Sequence, residues 1–326
     1  MMYDAIKNSP AQFGFAPEIE HKEKLGTYER FIVLGMGGSN LAPGFLQIGK
    51  PELDIISHRD YGLPHLSDGA WARTLVIASS YSGNTEETID GFEEAGRRGI
   101  ARAALAVGGR LRDLARASGA PFIQFPDTGI QPRSAIGLSI RGLLALLRED
   151  AALAQTAGLA DFLAAGMDGY EREGKALAEK MKGCVPVIYA SQRNRALAYN
   201  WKIKFNETGK IPAFYNIVPE LNHNEMTGFD AVDATRALSE KFFFIFLRDT
   251  ADHPKVQKRM VITEEMYRVR GLQAAAVEMA GATAFEKMFA SATIADWTAY
   301  YVSQIYGTEA DEVPMVEEFK KMIAEK

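Results

Sequence analysis

Hydrophobic positions along the chain fall into two alternating kinds of segment. Short runs are apolar at nearly every position: "RFIVLG" (30–35), "LDIIS" (53–57), "TLVIASS" (74–80), "RAALAV" (102–107) and "PFIQF" (121–125). Between them lie periodic stretches such as "TEETIDGFEEAGRRG" (85–99), with Ile89 and Phe92 on one side and charges elsewhere. A strand that is apolar throughout is buried on both faces, which fits a parallel sheet covered by crossover helices. "SAIGLSIRGLLALLRED" (134–150) reads as one long, largely buried helix. The rhythm then returns. "VPVIYA" (185–190), "IPAFYN" (211–216), "KFFFIFLRD" (241–249) and "LQAAAVEMA" (272–280) read as strands, with helices near 193–206, 254–270, 283–306 and 313–325. The stretch 152–180 is polar and helical and has no strand pattern. The pattern predicts an α/β chain of two tandem doubly wound parallel-sheet domains, 1–152 and 153–326, of similar rhythm but with no residue-level repeat.

Composition narrows this little. A length of 326 residues favours two cores over one, and 47% hydrophobic with 24% charged residues is ordinary for a globular chain. A net charge of −5 argues against nucleic acid as a partner. The single cysteine, Cys184, leaves no disulfide framework or cysteine-type metal site. At the start of an apparent buried strand, it is expected to be inert core packing. No apolar run approaches the roughly 18 residues that span a bilayer, and "MMYDAIKNSPAQFGF" lacks an apolar signal region. The expected location is the cytoplasm, with no membrane partner.

In open α/β sheets ligands collect beyond the carboxyl ends of the strands. The first loop there is "GMGGSN" (35–40). Asn40 stands where a dinucleotide fold has its third glycine, which counts against NAD. Gly37, Gly38 and Ser39 still bring bare amides and a hydroxyl to a helix start, although a tight turn alone would use the same residues. The second loop, "SSYSGNTEET" (79–88), sets Ser80, Ser82 and Thr85 around Gly83 and Asn84. Asn84 and Glu87 have capping-box spacing, but capping does not account for the hydroxyls ahead of it. Such a cluster at the positive end of a helix suits a phosphate dianion and needs no lysine.

These two loops resemble the glycine-serine loop and phosphate loop of sugar isomerase (SIS) domains, a superfamily of phosphosugar enzymes and regulators. "KFNETGKIPAFYNIVPELNHNE" (204–225) further resembles the archaeal and bacterial bifunctional phosphoglucose/phosphomannose isomerases. Their Asn-Glu-Asn-Ser-Lys type motif appears as Asn206-Glu207-Thr208-Gly209-Lys210, and their His-Asn-Glu as His223-Asn224-Glu225. The resemblance covers nearly the full length. It implies two SIS-type domains, a sugar phosphate substrate, Glu207 as catalytic base and His223 as ring-opening acid/base. It implies Arg133, in "QPRSAIG", as a cation near the reacting oxygens and Thr298, in "ADWTAYY", as the residue that helps accept both C2 epimers. It also implies a homodimer in which the histidine enters the site from the other subunit. The lysine that the family places near the C-terminus has no clear counterpart, since neither Lys320 nor Lys321 falls in register.

The chemistry agrees with these roles. Moving a carbonyl between C1 and C2 requires proton abstraction beside the carbonyl, which suits a carboxylate. The enediolate charge suits a fixed guanidinium, and ring opening suits a histidine titrating near working pH. No metal or cofactor is called for. His58 and His65 are seven apart with no helix to align them, and with His21 and His253 they are expected on surfaces or loops. Taken singly, Glu207 reads equally as a solvated surface charge, His223 as a core histidine and Arg133 as an ion-pair partner. The leading expectation is an isomerase of glucose 6-phosphate and mannose 6-phosphate with fructose 6-phosphate. The alternative is a non-catalytic phosphosugar-binding regulator, which has no need of a Glu207/His223 pair. An amidotransferase would need a glutaminase domain with a nucleophilic cysteine.

Overall fold

A computed structural model of the protein describes residues 1–324. It contains two parallel sheets. The first comprises β1 (Arg30–Leu34), β2 (Asp54–His58), β3 (Thr74–Ser79), β4 (Arg102–Ala106) and β5 (Phe122–Gln124), in the order β2-β1-β3-β4-β5. The second comprises β6 (Val185–Ser191), β7 (Phe214–Val218), β8 (Phe242–Arg248) and β9 (Gln273–Glu278), in the order β7-β6-β8-β9. Ile32 of β1 lies between Ile56 and Val76, and Ile188 of β6 between Tyr215 and Ile245. In each sheet the chain crosses from one side of its first strand to the other. The crevice of a doubly wound sheet therefore opens at the carboxyl ends of β1 and β3, and again at those of β6 and β8.

The continuous apolar runs are explained by burial. Every residue of β3 is buried, as are all but the first of β1 and β4. The helix Glu86–Arg97 buries Ile89, Phe92 and Ala95, three to four residues apart, against this sheet. In the second sheet Tyr189, Phe244 and Phe246 pack against Tyr267 of the helix Pro254–Val269, the closest ring centroids 4.5 Å apart.

Three elements depart from the pattern. The helix expected over 134–150 runs only from Ile136 to Leu146. Arg148 then takes a left-handed conformation (φ 57°), and a second helix starts at Asp150. The strand expected at 211 begins at Phe214, because Pro212 has no N–H to give the ladder. The terminal helix is Pro314–Ala324, and its expected extension to residue 325 lies outside the described residues.

The chain forms two compact units that interleave in sequence, where the pattern places a single cut after residue 152. One unit is Lys7–Ala165 with Ala282–Glu286, and the other is Met1–Ile6, Gly166–Gly281 and the chain from Lys287 onward. The first six residues join the second unit because Met2 and Ile6 enter a buried cluster with Met167, Trp297 and Ala310. Each such side chain contributes roughly 1.5–3 kcal/mol, and the Met2 amide donates to Asp311 Oδ2 at 3.0 Å.

The crevice of the second sheet is filled by the protein itself. Ser191 Oγ donates to Asp252 Oδ1 (2.6 Å), Asn194 Nδ2 to Asp249 Oδ2 (3.1 Å) and Lys287 Nζ to Asp249 Oδ1 (2.8 Å). Burial alone would raise the Asp249 pKa, but the bonds from Lys287, the Ala251 amide and Asn194 outweigh it and hold the carboxyl below its usual range. Burial pushes Asp252 up, and its Oδ2 is buried with no partner among the described residues.

Asp252→Asn removes a charge that burial disfavours and should therefore be more favourable to stability at pH 7 than at pH 4. The raised pKa means that ionised Asp252 weakens the fold as pH rises above about 4. The difference should thus grow from pH 4 upward and vanish below it. Urea unfolding across pH 3–8 measures this, and an effect independent of pH would refute the assignment.

Candidate active site

In the first unit, the loops after β1 and β3 meet across the crevice. Tyr81 N donates to Ser39 Oγ at 3.0 Å, which ties the second loop to the first. Gly38 is placed against the turn Pro132–Ser134: a Cβ there would lie 2.4 Å from Arg133 N and 2.6 Å from Arg133 Cα. Only glycine lets this turn close on the loop, and the turn carries the Arg133 guanidinium, which is buried. Asn40 Nδ2 donates to Gly35 O (2.8 Å) and His58 O (3.3 Å), and its Oδ1 accepts from Arg59 Nε (2.7 Å). The residue that breaks the dinucleotide pattern is a brace between the ends of β1 and β2.

The second loop is built as a cradle. Gly83 has φ 75°, and a Cβ there would strike Gly108 O at 1.8 Å. Ser80 Oγ is 2.8 Å from Thr85 Oγ1 and accepts from Gly83 N at 3.1 Å, so Ser80, fully buried, frames the loop. Ser82 is exposed and Thr85 half-buried. No capping box forms. The N-cap of the helix Glu86–Arg97 is Thr85, which makes no side-chain cap bond, while Asn84 Oδ1 accepts instead from Arg110 N at 3.0 Å. The first-turn amides of the helix thus retain their capacity for an anion. An open cleft of about 470 Å³ shares Asn84 with this loop, but Glu86, Asp90 and Glu93 face only Arg110 there, which disfavours a dianion.

In the second unit, Glu207 is the last residue of the helix Arg195–Glu207 and is half-buried. The motif after it folds back on the helix end. Lys210, with φ 58°, sends its ammonium to the backbone carbonyls of Glu207 and Glu312, and Asn206 Nδ2 donates to Ile211 O at 3.0 Å. Gly209 approaches so closely that a Cβ would lie 2.9 Å from Phe205 O. His223 closes the short 3-10 turn Glu220–His223 and is exposed. Thr298 is fully buried in the helix Ala284–Tyr306, and its hydroxyl donates to Ile294 O at 2.7 Å, one turn back. The pair Lys204 Nζ–Asp296 Oδ1 (2.5 Å) lies one turn before Glu207 and two residues before Thr298. Both charges lie in segments quoted from the sequence, Lys204 in "KFNETGK" and Asp296 in "ADWTAYY", but their pairing is a long-range contact that the sequence does not show.

The expectations for Cys184 and His58 need correction. Cys184 is half-buried just before β6 rather than in the core. Gln273 Nε2 approaches its Sγ at 3.3 Å, and burial pushes the thiol pKa up, which keeps it protonated. His58 ends β2 and is half-buried, with Nε2 3.3 Å from Tyr61 O, and His21 is also half-buried. His65 and His253 are exposed, and His253 Nδ1 accepts from Lys255 N as a helix cap (3.1 Å). Lys320 lies exposed against Glu317 on the terminal helix. Among the described residues no three His, Cys, Asp or Glu side chains are placed to share a metal, and no helix is long and apolar enough to cross a membrane.

Residues 170–323 match the family described as bacterial phospho-glucose isomerase C-terminal SIS domain. The chain is 30% identical over 318 residues to a bifunctional phosphoglucose/phosphomannose isomerase of Aquifex aeolicus, covering 94% of this chain and 95% of that one. The chain belongs to the bifunctional phosphoglucose/phosphomannose isomerase family. An isomerase of the same name from Thermoplasma volcanium is 32% identical over 306 residues, covering 92% and 93% of the two chains. The C-terminal domain of a glucosamine-fructose-6-phosphate aminotransferase from Francisella tularensis superposes with a TM-score of 0.70 at 13% identity. It covers 95% of this chain and 98% of that one, and shows the shared fold.

Gly38→Ala should lower stability by about 1–3 kcal/mol, since the atoms it meets are backbone and cannot step aside. Gly14→Ala, where a Cβ meets nothing within 4 Å, is the control and should be near neutral. Urea midpoints that fall equally for both would remove the close-packing argument.

Proposed function

We propose that this chain is an aldose–ketose isomerase that interconverts glucose 6-phosphate, and mannose 6-phosphate, with fructose 6-phosphate. Family membership supports the reaction class. The observation that carries the enzymatic reading over a binding module is Glu207: a half-buried glutamate whose backbone is held at a helix end by a chain that folds back through Gly209 and Lys210. A regulator that only holds phosphosugar has no use for a base positioned in this way.

The phosphate is held by Ser82, Thr85 and the uncapped first-turn amides of the helix Glu86–Arg97, with Gly37, Gly38, Ser39 and Ser80 shaping the loops around it. His223 gives a proton to the ring oxygen and takes one from the anomeric hydroxyl, which opens the sugar. Glu207 then removes the C2 proton of the open-chain aldose, and the electrons move into a C1–C2 enediolate. The Arg133 guanidinium stabilises the oxygen that gains charge. Return of the proton to C1, with the hydroxyl proton passing from O2 to O1, gives the ketose. Delivery of the C2 proton to either face gives either aldose, with Thr298 helping the site accommodate both C2 epimers. The exposure of His223 on its own chain supports a homodimer in which this residue serves the partner's substrate.

Glu207→Gln should lower kcat by about 10²–10⁴-fold while sugar-phosphate binding, read by calorimetry, changes little. Near wild-type turnover would favour a different base or the regulator reading. Replacing Ser82 and Thr85 together with Ala should raise KM about tenfold or more, the loss expected from hydrogen bonds to a charged group. A coupled assay on fructose 6-phosphate reading both aldose products measures each effect. An unchanged KM would reduce the loop to a helix start.

A further inference from the structure

The backbone that carries His223 has little regular structure of its own. The turn Glu220–His223 is followed by Asn224 at φ −143°, ψ −69° and a four-residue helix, Glu225–Gly228. A short irregular segment of this kind holds a side chain in place only if something outside it does the holding. Two of its neighbours supply this, one on each side of His223.

Before it, Asn222 Nδ2 donates to Thr263 Oγ1 at 2.8 Å, and Thr263 is buried on the helix Pro254–Val269. After it, Glu225 is gripped by the sheet. Tyr189 Oη donates to Oε1 and Asn216 Nδ2 to Oε2, each at 2.5 Å. Tyr189 and Asn216 are register neighbours on β6 and β7, so their side chains project from the same face, one strand spacing apart. Such a pair forms a two-pronged donor that matches the two oxygens of one carboxyl. The prongs are themselves fixed. Tyr189 is fully buried among Phe244, Phe246 and Tyr267, with ring centroids 5.5, 5.3 and 6.2 Å away. Burial foremost, then the neighbouring Tyr267 and Glu225, hold its hydroxyl protonated far above the usual phenol range, so it donates at every working pH. The Glu225 amide is satisfied locally by Asn224 Oδ1 at 2.6 Å, and Asn224 Nδ2 reaches Glu220 Oε1 at 2.7 Å.

We propose that Glu225 is the positioning residue for His223: anchored to Tyr189 and Asn216 of the sheet, and with Asn222 securing the other flank, it fixes the backbone from which the imidazole reaches the sugar ring. The proposal rests on the ring-opening role of His223. Its chemistry explains why the third residue of His-Asn-Glu is a glutamate. Glutamine offers one acceptor, and its amide group would confront the Asn216 donor. Aspartate is one methylene too short to keep both bonds without moving the turn.

The test separates ring opening from proton abstraction in the full-length protein. Ring opening is read as α/β anomer exchange of glucose 6-phosphate by exchange NMR. Proton abstraction is read as deuterium uptake at C2 of erythrose 4-phosphate, an aldose phosphate with no free hydroxyl to close a five- or six-membered ring. Glu225→Ala, and the milder Tyr189→Phe, should lower anomer exchange by about 10- to 100-fold, the range expected for a catalytic group displaced by about 1 Å. Deuterium uptake should fall at least ten times less. Glu225→Gln, which keeps one bond, should lie between wild type and Glu225→Ala. Equal loss of both rates in Tyr189→Phe would mean that the clamp only stabilises the fold, and unchanged anomer exchange would mean that it does not position His223; either result overturns the proposal. His223→Ala locates the fault. If it lowers anomer exchange while the clamp variants do not, only the positioning claim falls. If His223→Ala leaves anomer exchange intact, the ring-opening reading falls with it.

Discussion

At Gly38 the first loop has no room for a side chain, because the backbone of Arg133 occupies the space where a Cβ would stand. Everything chemical in the first unit depends on that contact. It lets a turn from far along the sequence, carrying the buried Arg133, close against the loop that follows β1, which is itself tied to the loop after β3. Asn40 supplies the complementary restraint by joining the ends of β1 and β2 through its amide. Gly83, pressed against the Gly108 carbonyl, shapes the second loop in the same manner. Catalytic groups held by backbone contacts of this kind lose little entropy on binding substrate, which is the basis of preorganisation.

The two crevices of the chain are topologically alike and chemically opposite. Beyond β1 and β3 lie hydroxyls, bare amides and the start of a helix with no side-chain cap, all of them donors. Beyond β6 and β8 lie Asp249 and Asp252, buried, with Lys287 neutralising one of them. A dianion would meet attraction in the first crevice and repulsion in the second. An overall charge of −5 is therefore no obstacle to an anionic substrate, because helix-end amides act locally while distant surface charges are screened.

The second unit uses its elements differently. Here the chemistry-bearing residues stand on irregular backbone beside a rigid sheet and helix. Glu207 is fixed by a chain reversal through Gly209 and Lys210, and His223 lies between anchors at Asn222 and Glu225. In both cases neighbouring residues help to hold the segment, Asn206 and Lys210 around Glu207 and Asn222 and Glu225 around His223.

Most strand positions and the class of fold were legible in the sequence because they depend on local period and on residues a few positions apart. Apolar runs such as 74–80 admit only a strand buried on both faces, and "SSYSGNTEET" concentrates hydroxyls where capping needs one. The motif residues Glu207 and His223 were visible through resemblance, not through period or charge. What required tertiary structure was everything carried by long-range contact. The first six residues belong with the second unit because of where Met167 and Trp297 lie. Asn40 proved to be a brace, Cys184 only half-buried, and the helix after residue 134 broken at Arg148. The Tyr189–Asn216 fork exists because two strands far apart in sequence pair in one register. Sequence pattern determines which face of an element is apolar, since that follows from local geometry; which donor meets which acceptor is decided only when non-adjacent segments pack and each buried polar group must find a partner.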